Sequence, residues 1–131
     1  MFRERDWILR VVKEVAELIA RALKLVDENK GEQAIEVLQA ACASALGIEY
    51  RTLSFLDSRS AVDLLNEGPK VVGFAQLLEA MGEVELKSGD PLKAEVRFRH
   101  ALEIVGALLA KKPGHAGATE VAARLEERLK S

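Results

Sequence analysis

The chain is short of the features that would place it in several large classes. It has one cysteine, Cys42, in 131 residues. A lone cysteine cannot close an internal disulfide, so a secreted fold built on disulfides is excluded. There is no excess of basic residues: 19 Lys and Arg stand against 21 Asp and Glu, a net charge of −2. A general nucleic-acid or membrane-surface binder would show the opposite balance. No apolar stretch approaches the ~20 residues of a transmembrane helix. The opening residues Met1-Phe2-Arg3-Glu4-Arg5-Asp6 lack the apolar run and small-residue cleavage site of a signal peptide. The expectation is a cytoplasmic protein with no membrane and no nucleic-acid partner. Only three prolines and nine glycines occur, mostly between periodic segments, and no strand pattern of any length is present.

What is present is helical periodicity. Hydrophobic residues make up 49% of the chain and charged ones 31%, the balance of an ordinary globular domain of this size. Ile8, Val11, Val12, Val15, Leu18, Ile19, Ala22, Leu25 and Val26 recur at steps of three and four and predict an amphipathic helix over 5–28. Asn29-Lys30-Gly31 breaks it. The period resumes over 32–46 through Ala34, Ile35, Leu38, Ala41, Cys42, Ala45 and Leu46, with Gly47 as the residue just past the end. Residues 47–69 are less regular. Tyr50–Leu56 predicts a short helical turn, and Ser60 with Asp63 reads as a capping box opening 61–66. A helix over 70–88 follows, ended by Gly89. Asp90 as N-cap and Pro91 at the first helical position open another that runs to about Lys112, before Pro113-Gly114. The stripe Val121, Leu125, Leu129 marks a last helix over 116–130. The fold class is all-α, in one domain: a hairpin over 5–46, an insert over 47–69, a second hairpin over 70–112 and a C-terminal capping helix.

The second hairpin carries a spacing of its own. Leu78, Met81 and Gly82 are followed by Gly89-Asp90, then Ala94, Phe98 and Ala101. This resembles the tetratricopeptide repeat, whose 34-residue helical hairpin shows W-x2-L-G-x2-Y, then A-x3-F. Small residues let the two helices cross closely and one aromatic fills the wedge between them. Glu85 stands where the repeat has Tyr, and Gly106 where it ends in Pro, so the second helix runs on. A weaker copy lies 60 residues upstream, at Ala22, Ala34, Leu38 and Ala41. The alternative is a generic bundle whose helices pack through small residues. The opening Arg3–Arg10 stretch and the order of hairpin, insert and hairpin are also similar to a small family of uncharacterised bacterial proteins, a resemblance that implies no activity.

The resemblance to the repeat implies a concave face lined by the first helix of each hairpin. It takes Gln76, Glu79, Glu83, Leu86 and Lys87 from one and Ala16, Ile19, Leu23, Val26 and Asp27 from the other. The Lys and Asn that family members use to hold a C-terminal carboxylate are missing. Glu79 and Glu83 stand there, and a groove of that sign favours a basic segment. The expected contacts are therefore Gln76, Glu79, Glu83 and Lys87, on a protein or peptide partner. Independently, Ile19, Leu23 and Val26 are too apolar to face water. The insert, the last helix or a second copy must cover them, and a homodimer is the expectation.

Catalytic signals are weak. His100 and His115 lack the Glu or Asp three residues before them that a di-iron bundle uses. Nucleotide and zinc-protease motifs are absent. Cys42 shares an apolar face with Leu38 and Ala45, which reads as a buried, inert thiol. Lys93, Arg97, Arg99 and His100 share one helix, which reads as a solvated face. Phe2 and Trp7 open the first helix, Trp7 as a cap on the core. The expectation is a protein-interaction module without catalysis, metal or cofactor. The alternatives are a homodimer whose groove is filled by its own chain, and a small-ligand-binding bundle around His100.

Overall fold

The computed structural model describes residues 2–130, with side chains from Arg5 onward; Phe2, named above, has its side chain outside them. Among the described residues the chain is all-α, with seven α-helices and one short π-helical segment.

The first helix, α1 (Phe2–Asp27), ends where Asn29 takes a left-handed conformation at φ 62°. Lys30 N–H then donates to the Leu25 carbonyl at 2.9 Å, which satisfies an otherwise orphaned acceptor. Asn29, not Gly31, is thus the chain-reversing residue. Gly31 is small for a different reason: a Cβ there would lie 2.6 Å from Ser88 Oγ, where two turns meet. The second helix, α2 (Gly31–Ala41), widens into a π-helical turn over Cys42–Leu46 and stops at Gly47, φ 81°. The periodicity over 32–46 could not separate these two forms, because both bury Ala41, Cys42 and Leu46.

The insert holds α3 (Tyr50–Phe55) and α4 (Ser58–Leu65). Its cap is Asp57 rather than Ser60. Asp57 accepts from the Ser60 N–H at 2.9 Å and from its hydroxyl at 3.1 Å. Ser60 is therefore the third residue of the helix, in the place a capping box gives to Glu or Gln. The long helices α5 (Gly68–Lys87) and α6 (Pro91–Lys111) follow, then α7 (Ala116–Lys130). Gly68-Pro69 opens α5 instead of lying in a loop before it; proline is tolerated in a first turn because its missing N–H would have no intrahelical partner there. Asp90 caps α6 by accepting from Lys93 N–H at 3.1 Å.

Helix α5 is the axis of the molecule. It packs against α1, α2, α4, α6 and α7. Phe74, Leu77, Leu78 and Met81 are wholly buried along it. Its polar-looking Glu85 is buried too, and that burial is compensated: Arg97 of α6 donates to it at 2.8 Å and also meets the Tyr50 hydroxyl of α3. α5 and α6 meet at Gly82 through the Phe98 ring. A Cβ on Gly82 would fall 2.5 Å from Phe98 Cε1, so the aromatic fills the space the glycine leaves. α4 lies against α6 and α5. It therefore does not cover the outer apolar row of α1, where Leu9 is 59% and Val12 54% exposed. No helix among the described residues is long and apolar enough to cross a membrane.

Candidate functional site

A groove runs between α1, α5 and α7, and a separate cavity of about 580 Å³ lies between α1 and α2. Two adjoining cavities, of about 390 and about 180 Å³, share Val12 and Gln76 and form one groove. Helix α1 supplies an apolar wall, because residues four and three apart on a helix share a face: Ile8, Val12, Ala16, Ile19 and Leu23 all line it. The wider end faces Glu79 and Glu83 of α5 and Arg124 and Arg128 of α7. The narrower end is closed by Pro69, Val72, His115 and Gly117.

The charged end is built from two matched ladders. Glu79 and Glu83 are one turn apart on α5, and Arg124 and Arg128 are one turn apart on α7. Arg124 grips both oxygens of Glu79, with Nε at 2.9 Å from Oε2 and Nη2 at 2.7 Å from Oε1. This is the bidentate geometry for which guanidinium suits carboxylate. Arg128 bridges the pair, with Nε at 2.8 Å from Glu79 and Nη2 at 2.6 Å from Glu83. Its guanidinium also lies 5.1 Å from the Phe98 ring centre. Burial pushes the Glu79 carboxyl up, but the hydrogen bonds from Arg124 and Arg128 outweigh it and hold it below the ordinary carboxylate range. Burial pulls Arg128 down, and its bonds to Glu83 and Glu79 more than reverse this. Two carboxylates face two guanidiniums, so the wall carries no net charge.

Of the four residues expected to make contacts, Gln76, Glu79 and Glu83 come together on this groove. Lys87 does not line it; it reaches Asp27 at 3.4 Å, tying the last turns of α1 and α5. Leu86 lies elsewhere, beside Pro91, Phe98 and Leu129. Sequence reasoning missed Arg124 and Arg128. Their i, i+4 spacing, equal to that of Glu79 and Glu83, was the available signal, but nothing local says that α7 lies beside α5.

No protein-family model, curated protein or solved structure matches this chain.

Cys42 is wholly buried, and burial, only partly offset by a backbone hydrogen bond, pushes its thiol up to about 12. His100 stands edge-on to Phe74, ring centres 5.8 Å apart. Burial pulls its imidazole below the usual histidine value, Glu103 opposes this, and Arg97 adds to it. His115 accepts through Nδ1 from the Ala118 N–H at 3.2 Å, a cap on α7. The basic group on α6 is dispersed among acids: Lys93 meets Asp90, Arg99 meets Glu95, and Arg97 is drawn inward by Glu85. The solvated face expected for the group therefore leaves out Arg97, because its carboxylate partner is buried. Trp7 is partly buried on the core with Lys70 Nζ 5.2 Å over its ring. Among the described residues no three His, Cys, Asp or Glu side chains are grouped to hold a metal.

Proposed function

We propose that the protein is a non-catalytic interaction module whose α1–α5–α7 groove receives an amphipathic helix of a protein partner. The observation that carries this is the apolar row Ile8, Val12, Ala16, Ile19 and Leu23, which lines an open groove: Ile19 and Leu23 rest partly on the core, and Ile8, Val12 and Ala16 are exposed. A helix laid in such a groove anchors through residues at i, i+3, i+4 and i+7. The row on α1 has the matching period. The reading follows the tetratricopeptide-like arrangement, with α1 and α5 as the lining helices and α7 as a third beside them. It differs from the resemblance in one respect. Glu79 and Glu83 are already matched by Arg124 and Arg128, so the partner's contribution is apolar contact rather than basic charge.

The test is a photo-reactive benzoylphenylalanine in place of Gln76, compared with one in place of the exposed Glu126, activated in cells. A covalent adduct with a second polypeptide at position 76 and none at 126 is expected. No adduct at 76 overturns the reading.

A further inference from the structure

We infer that the helix received by the groove is α1 of a second copy of this chain, packed antiparallel about a two-fold axis beside Ala16. The inference rests on the groove reading above and names its occupant. It starts from a symmetry in α1 itself. Counted outward from Ala16, Leu9 and Leu23 lie seven residues to either side, and Arg5 and Asp27 lie eleven to either side. Val12 and Ala20 lie four to either side. A two-fold contact is self-complementary, since residue i of one copy meets residue j of the other and the reverse. Antiparallel pairing about Ala16 therefore sets each Leu9 on the other copy's Leu23 and each Arg5 beside the other copy's Asp27. Apolar meets apolar and cation meets anion, twice. A parallel arrangement would set Arg5 on Arg5 and Asp27 on Asp27.

The structure leaves room for this contact. Ala16 and Ala20 line the groove and are exposed, and small residues at a crossing let helix axes approach closely. Leu9 and Val12 are more than half exposed beside them. Asp27, whose side chain is 67% exposed, keeps acceptor capacity beyond its bond to Lys87. The buried face of α1, with Val11, Val15 and Ala22, is already committed to the body of the molecule. Helix α1 is thus apolar on two adjacent faces; the second is only partly used within the chain, where Ile19 and Leu23 rest on the core and Leu9, Val12, Ala16 and Ala20 are left exposed.

The test combines light scattering with engineered cysteines. Cys42 is buried and its thiol lies at about 12, so it does not compete in the chemistry. The wild-type chain at about 50 µM is expected at twice its 14.4 kDa mass. Ala16→Cys is expected to give a covalent dimer on mild oxidation, because the two Cβ atoms meet at the axis within disulfide reach. Leu9→Cys is expected not to, since its two copies lie about 21 Å apart at 1.5 Å of rise per residue. Arg5→Asp is expected to weaken the dimer roughly tenfold through two lost pairs, and adding Asp27→Arg to restore it. A single-chain mass at 50 µM overturns the inference, as does Leu9→Cys cross-linking as readily as Ala16→Cys. The two readings fail separately. An adduct of position 76 with a different protein, on a monomeric chain, leaves the groove and removes the second copy. A dimer with no adduct at position 76 removes both.

Discussion

Glu79 on α5 and Arg124 on α7 are joined through both carboxylate oxygens, with N–O distances of 2.7 to 3.1 Å. The carboxylate side chain is only 8% exposed while the guanidinium is 42% exposed. One partner is desolvated and the other reaches it from the groove. Together with Arg128 this contact fastens the face of α7 that borders the groove.

Glu79→Gln removes the charge but leaves two guanidiniums aimed at the site. Breaking a buried pair from one side costs about 3–5 kcal/mol, and the partial exposure of both arginines lowers this to about 2 kcal/mol. The folded carboxyl lies below its ordinary value. Its contribution is therefore fully present above the unfolded carboxylate range and fades as pH falls through the folded value. Urea melts of wild type and Glu79→Gln should differ most at pH 7 and converge in acid. A gap that is constant down to pH 2 contradicts the pairing.

Gly82→Ala tests the crossing of α5 and α6. The added methyl meets the Phe98 ring at 2.5 Å, and overpacking of this kind costs about 1–3 kcal/mol. Pairing it with Phe98→Leu should recover part of the loss, which thermal melts of the single and double variants would show.

These two sites differ in how far the sequence reveals them. Gly82, Ala94, Phe98 and Ala101 were legible because small and aromatic residues at fixed spacing report a local crossing of two consecutive helices. The helix ends at Gly47, Gly89 and Asp90 were legible for the same reason: turn chemistry is local. The partners of Glu79, Glu83 and Glu85 were not. Arg124, Arg128 and Arg97 lie 45, 45 and 12 residues away, and no pattern within α5 states which helix will face it. The groove itself was half legible. Surplus apolar residues on α1 pointed to a face around Ile19 and Leu23, but nothing local gives the path of the insert, whose α4 turns to α6 and α5.

Arg97→Ala should uncover the inner charge of Glu85, whose side chain is 10% exposed, and release Tyr50 of the insert. A loss of about 2–4 kcal/mol is expected. Arg97→Ala combined with Glu85→Leu should be milder than Arg97→Ala alone, because no carboxylate is then left without its cation. Chemical denaturation of the three proteins checks this order.

Cys42 should ignore a thiol reagent in the native protein at pH 8, since the thiolate is the reactive form and the thiol lies at about 12. Colorimetric titration should show one reactive thiol only after unfolding. Reaction of the native protein within minutes would mean that the π-helical turn opens.

The interface we propose lies on the exposed face of α1, where Leu9 stands beside Val12, Ala16 and Ala20. Hydroxyl-radical footprinting of the protein at its cellular concentration measures this side chain by side chain. Leu92 and Val96 on α6, 78% and 66% exposed, serve as internal references for Leu9 and Val12, 59% and 54% exposed. Leu9 and Val12 are expected to be oxidised several-fold more slowly than this exposure implies, while Leu92 and Val96 react in full. Oxidation of Leu9 and Val12 in proportion to their exposure would mean that this face of α1 stands open to water, and would contradict the interface.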